Sequence, residues 1–528
     1  MSTTIRNASL SLLTCLTLCA SVNVQAGSAC DESECASRGR LVEQQTTLRL
    51  SAAALTKLLD SSASGRQLEQ IAGVPSCNVQ IVYFRYRTIG GAGEPATSGA
   101  ALMIPGGGPA CTGRRPVLLY AHATTAYRNY NIADVTQTDP ANVDGASEGI
   151  GIAAIYAAHG YIVVASNYAG YAGSDLTYHP YLNADQQSAD MIDSLRAMPA
   201  VLRRANPEHT TRGSGKLFVT GYSQGGHVAL ATQRALQRSG FLVTASAPGS
   251  GPYALAASGD AIIEGEVSLG APVFVTLVAT SYQRAYRNIY QTPGDMYEAS
   301  YAPGIENLLP NLNPLGVLFA SGKLPPTQLF SSTPPAPQFA SLTPPIVPPL
   351  VPAALTPLFT LGFGTANLVR NAYRLSALED AFANPDGAFP NPTAAMAPAT
   401  HPTHPLRRAF RRNDLRNWVP RSPVLLCGGN ADPTVFFFNT LVEQAYWLNA
   451  NVRPGLTTVL DVDSSISGPH DAYAAVKQGF ALAKVTLAAQ AVAAGAKDGG
   501  AAAVLQAYHA DLVAPFCMSA ARAFFSHF

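Results

Sequence analysis

The segment Gly221-Tyr222-Ser223-Gln224-Gly225 decides the fold class of this 528-residue chain. It directly follows a short β-branched run at residues 217–220 and opens an apolar helical pattern at residues 228–236. A serine between two glycines at a strand-to-helix junction is typical of a nucleophile elbow. Glycine is needed on both sides because a Cβ there would collide with the neighbouring strand or helix. The pattern predicts that Ser223 is a nucleophile at the carboxyl edge of a sheet.

Strand-like runs alternate with helical patterns on both sides of this elbow. The predicted strands are residues 79–87, 99–104, 116–122, 161–166, 217–220, 242–247, 423–427 and 457–462. Helical apolar stripes occur between them, as at residues 150–159 and 183–198. This alternation predicts an α/β fold, with a mostly parallel central sheet and helices on both faces.

A long insertion interrupts the alternation between residues 247 and 423, where one helical crossover would need only a few tens of residues. Residues 301–405 hold 20 of the chain's 39 prolines. We predict a cap over the cleft at residues 256–415, with an amphipathic helix at 366–382 that Thr365 caps. The alternative is a disordered linker, but Leu, Phe, Ile and Val are too frequent here for an exposed one.

The α/β core is predicted in two parts, residues 27–255 and 416–528, and residues 1–26 are predicted to be a signal peptide. This leader carries one charge, Arg6, then an apolar run, and ends in the small-x-small pattern Val24-Gln25-Ala26. A membrane anchor would need about 20 apolar residues, and the run has about half that number. We therefore expect a secreted or periplasmic protein without stable membrane insertion.

The charge balance narrows the class of partner. The chain has 34 basic and 33 acidic residues, and only 13% of its residues are charged. A basic face for nucleic acid is not expected from such a balance. No phosphate-binding or dinucleotide motif occurs in a suitable context, and no cysteine has zinc-ligand spacing with a histidine nearby. We expect neither cofactor nor metal, and a neutral or apolar small molecule as the partner.

Six cysteines remain after the leader, an even number that indicates up to three disulfides in an oxidising compartment. Cys77 and Cys111 each precede a predicted strand, so their pairing is favoured first. The other two predicted bridges are Cys427–Cys517 and Cys30–Cys35.

A serine hydroxyl needs a base within hydrogen-bond reach before it can attack. His470 follows the strand at residues 457–462 by a short loop, which would place its imidazole at the sheet edge beside Ser223. His122 ends an earlier strand and His227 lies on the helix after the elbow. The remaining histidines fall in the insertion or lack a strand-end context, and these are His159, His179, His209, His401, His404, His509 and His527. His470 is the predicted base.

The third member should be a carboxylate that holds the imidazole tautomer. Asp432 directly follows the strand at residues 423–427, and the order Ser223, Asp432, His470 is the Ser, acid, His order of hydrolases of this type. Asp461 and Asp463 are rivals at the end of the next strand, although they more naturally cap a turn there.

A tetrahedral oxyanion needs two N–H donors. The backbone of Gln224 at the helix start is one predicted donor. The other comes from the loop after the strand at residues 116–122, where Thr124 is preferred and Ala123 is the alternative.

Three tyrosines are candidates for lining the substrate cleft, namely Tyr168, Tyr171 and Tyr222. The first two lie in a glycine-rich loop that follows the strand at residues 161–166 and so borders the same sheet edge. Local packing of their rings in a turn is the alternative reading.

Together these motifs resemble the α/β-hydrolase superfamily and, within it, the secretory lipases related to yeast lipase A and their bacterial relatives. The resemblance rests on Tyr120-Ala121-His122, residues 221–227, the long insertion, Cys427-Gly428-Gly429 with Asp432, and Gly468-Pro469-His470. It implies a serine carboxylester hydrolase with a lid and no cofactor. One departure is Ala123, where many enzymes of this type have glycine after the histidine.

The sequence thus predicts a secreted serine esterase or lipase that forms an acyl-enzyme on Ser223. The apolar cap indicates esters with a hydrophobic acyl or aromatic part, including lipids and polyesters. A peptidase or amidase on the same triad is one alternative. A non-catalytic binding protein on a hydrolase scaffold is another, although such a protein would normally have lost one triad residue.

Overall fold

The central element is a nine-stranded sheet, seen in a computed structural model that describes residues 37–346 and 350–528. Its strands are β1 (Leu41–Leu50), β2 (Asn78–Ile89), β3 (Pro95–Gly106), β4 (Gly113–Ala121), β5 (Ile162–Ser166), β6 (Thr211–Tyr222), β7 (Ala245–Gly249), β8 (Val424–Gly428) and β9 (Thr457–Asp461). The predicted leader at residues 1–26 and the predicted Cys30–Cys35 bridge lie outside the described residues.

The strand order is β1-β2-β3-β5-β4-β6-β7-β8-β9. Strands β1, β2, β3 and β5 pair antiparallel, and the pairs from β5 through β4, β6, β7 and β8 to β9 are all parallel. The mostly parallel α/β sheet is therefore confirmed, and the carboxyl ends of β4, β6, β7 and β8 meet at one edge.

All eight predicted strands are present in the central sheet, and one strand of this sheet was missed. Strand β1 is an edge strand rich in polar residues that pairs only with β2, so it lacks the apolar signal of a buried strand. The strand predicted at residues 242–247 begins later, at Ala245, because Phe241 and Leu242 are exposed rather than in the sheet.

Helices cover both faces of the sheet. They are α1 (Ala52–Asp60), α2 (Ala63–Ala72), α3 (Val143–Ile155), α4 (Ala184–Ala205), α5 (Gln224–Arg238), α6 (Leu255–Ile263), α7 (Ala271–Tyr286), α8 (Pro293–Met296), α9 (Leu315–Ala320), α10 (Thr356–Leu361), α11 (Asn371–Ala383), α12 (Pro405–Asn413), α13 (Phe438–Asn449), α14 (Ala474–Ala493), α15 (Ala501–Ala507) and α16 (Ala514–Phe525). Helices α4 and α5 pack together on the sheet, and α16 packs against α2, α3 and the central strands. Strands β5, β7 and β8 are consequently buried along their whole length, and β4 and β6 are buried over their carboxyl-terminal halves.

The segment between β7 and β8 is folded rather than a disordered linker. It contains α6 to α12 and a pair of two-residue strands, Phe330–Ser331 and Phe363–Gly364. Its residues form an apolar cluster around α7 with members from α6 and α12. The high Leu, Phe and Ile content of this segment is therefore explained by the buried cluster that these residues form.

Two buried arginines tie the inserted segment together. Arg407 contacts Asp260 at 2.7 Å and Asp380 at 2.6 Å, which joins α12 to α6 and α11. Arg416 contacts Asp386 at 2.8 Å and Asp414 at 2.9 Å. Buried charges of this kind are tolerated only when they are paired and hydrogen-bonded, so each arginine fixes the relative position of its partners.

The helix predicted at residues 366–382 starts later than expected. It begins at Asn371, and Arg370 rather than Thr365 is at its N-cap. The preceding backbone is diverted into other hydrogen bonds, since the N–H groups of Leu368 and Val369 donate to the carbonyls of Gln328 and Leu329. Thr365 as the cap was therefore wrong.

Two of the three predicted disulfides lie within the described residues, and both are confirmed. Cys77 is bonded to Cys111, and Cys427 is bonded to Cys517. The second bridge joins β8 to α16, which brings the carboxyl-terminal helix to the strand that precedes Asp432. Of the helices in the described part of the chain, none is long and apolar enough to cross a membrane.

Candidate active site

Ser223 occupies a strained turn between β6 and α5. Its backbone has φ 59° and ψ −122°, a conformation that L-residues rarely adopt. A Cβ built on Gly221 would lie 2.4 Å from the Gly225 carbonyl oxygen, and one on Gly225 would lie 2.0 Å from the Ala121 carbonyl oxygen. Only glycine lets α5 approach β4 and β6 this closely, so the surroundings hold the serine in its strained position.

A histidine contacts Ser223, and a carboxylate contacts the other side of the same imidazole ring. The Nε2 atom of His509 lies 2.8 Å from Ser223 Oγ, and its Nδ1 atom lies 2.7 Å from Asp432 Oδ2. The other Asp432 oxygen, Oδ1, accepts hydrogen bonds from the backbone N–H groups of Thr434 (2.9 Å) and Val435 (3.0 Å). An ionised carboxylate only accepts, so Nδ1 of His509 donates and Nε2 is free to accept the serine proton.

His509 lies in a π-helical turn, Tyr508–Val513, between α15 and α16. Such turns are rare and are frequently found at functional sites. Two features outside the turn anchor it: the Tyr222 hydroxyl donates to the His509 carbonyl oxygen at 2.6 Å, and the Cys427–Cys517 bridge holds the helix that follows.

His470 as the base is wrong in this structure. It is exposed in the loop of residues 467–471, which closes on itself through Asp471, whose carboxylate accepts from the Ser467 N–H and pairs with Lys477. This loop follows β9, which is the edge strand and lies three strands from β6. At about 4.8 Å per strand, β9 lies roughly 14 Å from β6, the strand that ends next to Ser223.

A signal for His509 was present in the sequence. The predicted Cys427–Cys517 bridge ties the chain just after residue 509 to the strand just before Asp432. His509 itself has no strand before it, because it lies in a helical turn and not in a loop that follows a strand. Asp461 and Asp463, the rivals of Asp432, instead accept hydrogen bonds from Asn430 and Tyr508.

The two predicted oxyanion donors lie at the start of α5 and in the loop after β4. Gln224 is the first residue of α5, where backbone N–H groups have no intrahelical partner. Its side-chain Nε2 is 2.7 Å from His179 Nε2, and His179 Nδ1 is 2.8 Å from the Ala169 carbonyl oxygen. Burial lowers the pKa of His179 to about 3, so a neutral imidazole donates to Ala169 and accepts from Gln224. Gln224 is thereby held firmly.

The loop after β4 distinguishes the two candidates for the second donor. The Ala123 N–H donates to Glu148 Oε1 at 3.0 Å, so it is already engaged, whereas Thr124 is the next residue along. The Thr124 hydroxyl lies 3.0 Å from the hydroxyl of Tyr181, a residue of the cleft. This arrangement favours Thr124 over Ala123.

Glu148 on α3 holds this loop with three hydrogen bonds. Besides the Ala123 N–H, its carboxylate accepts from the hydroxyls of Tyr120 at 2.7 Å and Tyr130 at 2.9 Å. Desolvation raises the pKa of Glu148, and these donors counteract part of the rise. The carboxylate therefore fixes the backbone at the place where the second donor is expected.

The three tyrosines proposed for the cleft lie behind it. Tyr168, Tyr171 and Tyr222 are buried, and their hydroxyls donate to the carbonyl oxygens of His122 (3.0 Å), Thr125 (2.6 Å) and His509 (2.6 Å). None of them lines the cleft above Ser223. The prediction that these tyrosines line the cleft was therefore wrong. Each ring is buried, with its hydroxyl hydrogen-bonded to a backbone carbonyl oxygen.

The cleft above Ser223 is mostly apolar. It is lined by Tyr181, Leu182, Ser223, Gln224, Pro252, Leu255, Ser258, Gly259, Ile262, Ser268, Phe274, Val275, Val278, Phe410, Thr434, Val435, Phe436 and Asn439. Helices α6, α7 and α12 of the inserted segment supply most of the apolar side chains. Nowhere in residues 37–346 and 350–528 do three or more His, Cys, Asp or Glu side chains form a group that could hold a metal ion.

Solved structures similar to this chain include an esterase. The rice cell wall degrading esterase LipA from Xanthomonas oryzae is 26% identical, with a TM-score of 0.60 over 84% of this chain and 95% of that one. A protein from Legionella pneumophila is 17% identical, with a TM-score of 0.57 over 80% of this chain and 91% of that one. Lipase A from Candida antarctica is 11% identical, with a TM-score of 0.40 over 82% of this chain and 78% of that one.

No profile of a known protein family and no curated protein sequence matches the chain. The structural likeness to LipA nevertheless spans nearly the whole of that esterase, and the mostly parallel sheet with its strand-elbow-helix turn is that of an α/β-hydrolase.

Proposed function

We propose that this chain, an α/β-hydrolase whose structural neighbours are esterases and lipases, is a secreted serine carboxylester hydrolase. The observation that carries the proposal is the 2.8 Å contact between His509 Nε2 and the Oγ of Ser223 on its strained turn. Asp432 completes the triad, and His509 takes the place that the sequence alone assigned to His470.

The reaction would proceed through an acyl-enzyme. His509 accepts the Ser223 proton as Oγ attacks the ester carbonyl, and the backbone N–H groups of Gln224 and Thr124 stabilise the oxyanion. His509 then gives the proton to the leaving alcohol as the carbon–oxygen bond of the ester breaks. A water molecule, activated by the same imidazole, releases the acid and restores the serine.

Asp432 would act without taking the proton. Two backbone N–H groups and the His509 N–H donate to its carboxylate and hold it in place. An ionised Asp432 stabilises the imidazolium that forms when Ser223 loses its proton. This role requires the tautomer of His509 with the proton on Nδ1.

The apolar lining indicates the substrate class. Side chains such as Leu255, Ile262, Phe274 and Phe410 favour esters with a hydrophobic acyl or aromatic part, from lipids to polyesters. Because LipA degrades rice cell walls, plant cell wall esters belong in the substrate panel. The Cys77–Cys111 and Cys427–Cys517 bridges favour a secreted or periplasmic location, since disulfides persist in oxidising compartments.

The decisive experiment combines p-nitrophenyl ester turnover with a fluorophosphonate probe. Wild-type protein should cleave the esters and be labelled at Ser223, and Ser223→Ala should do neither. A folded wild type with neither turnover nor labelling would contradict the proposal and favour a binding protein. Labelling with turnover of peptides but not of esters would favour the peptidase alternative.

A further inference from the structure

Two buried tyrosines contact the segments that hold His509, and the triad chemistry uses neither of their hydroxyls. Tyr222 immediately precedes the nucleophile Ser223, and Tyr508 immediately precedes the base His509. We propose that these two hydroxyls are positioning groups that together hold the His509 imidazole between Ser223 and Asp432. This inference rests on the proposed function and names two further residues that its reaction would need.

Tyr222 connects the nucleophile strand to the base. It is the last residue of β6, and its hydroxyl donates to the His509 carbonyl oxygen at 2.6 Å. Its ring also packs beside the imidazole, with 5.0 Å between the ring centroids. The residue next to Ser223 thus contacts both the backbone and the ring of His509, so the distance between nucleophile and base depends on this side chain.

Tyr508 connects the base to the loop of the acid. Its hydroxyl donates to Asp463 Oδ2 at 2.7 Å and accepts the backbone N–H of Ala431 at 3.2 Å. Ala431 precedes Asp432 in the chain. A Cβ built on Gly429 would lie 2.7 Å from the Tyr508 hydroxyl oxygen, so the glycine after β8 makes room for this contact.

The two tyrosines tie one turn to two different segments of the chain. His509 is held in a π-helical turn and not at the end of a strand, so the sheet does not by itself fix the position of its imidazole. The Tyr222 contact fixes the turn relative to Ser223, and the Tyr508 contact fixes it relative to the Asp432 loop. Because Nε2 and Nδ1 must meet two partners at once, both contacts are needed for the productive orientation.

Tyr→Phe substitutions test this with little change in shape. Each removes one hydroxyl and leaves the ring packing intact. We expect Tyr222→Phe and Tyr508→Phe each to lower kcat about 10- to 100-fold with KM nearly unchanged, because a small misplacement of a catalytic group has effects of this size. The rate of fluorophosphonate labelling should fall by a similar factor, since labelling also needs the Ser223–His509 contact.

Tyr156→Phe is the matched control. The Tyr156 hydroxyl is also buried and donates to a backbone carbonyl, that of Met518, at 2.9 Å, but it contacts no triad residue. Its removal should change thermal stability about as much as the other two substitutions and leave kcat within about twofold. Asp463→Ala is a second route to Tyr508, because it removes the hydroxyl's acceptor and leaves the tyrosine in place.

The outcomes separate this inference from the proposed function. If the wild type turns over esters and Ser223→Ala does not, but both Tyr→Phe variants keep the kcat of Tyr156→Phe, the positioning role is wrong and the triad stands. A fall in kcat that Tyr156→Phe shares would also overturn it. If Tyr508→Phe does not fold, an unchanged kcat in Asp463→Ala would overturn the role of Tyr508. A wild type without ester turnover would instead overturn the proposed function.

Discussion

The Nε2 atom of His509 lies 2.8 Å from Oγ of Ser223, although 286 residues separate them in the chain. We expect His509→Ala to lower kcat/KM for p-nitrophenyl esters by about 10⁴-fold or more, because loss of the base removes nearly all activation of the serine. His470→Ala should keep wild-type activity, since His470 is exposed in a loop of its own. Steady-state kinetics on both purified variants check this. Loss of activity in His470→Ala with retention in His509→Ala would reverse the assignment.

Asp432 should be needed for its charge and not only for its shape. Asp432→Asn preserves the two contacts with backbone N–H groups at one oxygen but offers His509 an amide. We expect kcat to fall about 10³- to 10⁴-fold because the imidazole tautomer is no longer enforced. Asp461→Asn is the comparison, since Asp461 contacts Asn430 rather than His509, and it should keep most of the activity. Equal losses in both variants would argue against Asp432 as the acid.

Glu148 should control the second oxyanion donor from a distance. Glu148→Gln keeps the size of the side chain but weakens its hydrogen bonds with Tyr120, Tyr130 and Ala123. Direct loss of an oxyanion donor costs about 10²- to 10³-fold in kcat, and a displaced loop should cost less, about tenfold. Glu208→Gln, at an exposed site outside this loop, is the control. If kcat is unchanged in Glu148→Gln, the carboxylate does not set the position of the donor.

The two disulfides should contribute differently to activity. Cys427–Cys517 closes a separation of 90 residues and Cys77–Cys111 one of 34, so their removal is expected to cost about 4.6 and 3.8 kcal/mol of unfolding free energy in the chain-entropy description. Only the first joins β8, before Asp432, to the helix after His509. The Cys427→Ala/Cys517→Ala variant should therefore lose activity at temperatures where it is still folded, and Cys77→Ala/Cys111→Ala should not. Denaturation curves and activity at matched fractions folded distinguish the two.

Glu266 should make the protein less stable as the pH rises. It is 1% exposed, and neither of its carboxylate oxygens has a hydrogen-bond partner in the described part of the chain. Burial, followed by the nearby Glu264 carboxylate, raises the pKa of Glu266 from 4.5 to about 8. The unfolded chain loses this proton near pH 4.5 and the folded chain keeps it up to about pH 8, so folding stability falls between these values.

The slope from this one group is at most about 1.4 kcal/mol per pH unit. Glu266→Gln has no proton to lose, so its stability relative to wild type should increase from pH 5 to pH 8 and then level off. Thermal or urea unfolding across this range measures it, with Glu208→Gln at an exposed site as the control. A difference between Glu266→Gln and wild type that does not vary with pH would show that this carboxyl is not buried as a neutral acid.

Local signals in the sequence were sufficient for eight of the nine strands of the sheet and for the strand-elbow-helix turn at residues 217–236, and both disulfides among the described residues were predicted. β-branched runs mark strands, a serine between spaced glycines marks the elbow, and Asp432 directly follows a strand. The tyrosines at positions 168, 171 and 222 were misassigned because the direction of a ring depends on which carbonyl can accept from its hydroxyl. In each case the accepting carbonyl lies far along the chain from the tyrosine that donates to it.

The chain's local patterns determined the α/β fold and the elbow that strains Ser223, since both follow from neighbours along the backbone. Only the tertiary structure decided between His470 and His509. A histidine's contact with a distant serine depends on the strand order of the sheet and on how the carboxyl-terminal helices return to it. The strand before His470 lies at the edge of the sheet, whereas hydrogen bonds and a disulfide with remote residues bring the turn of His509 to its centre.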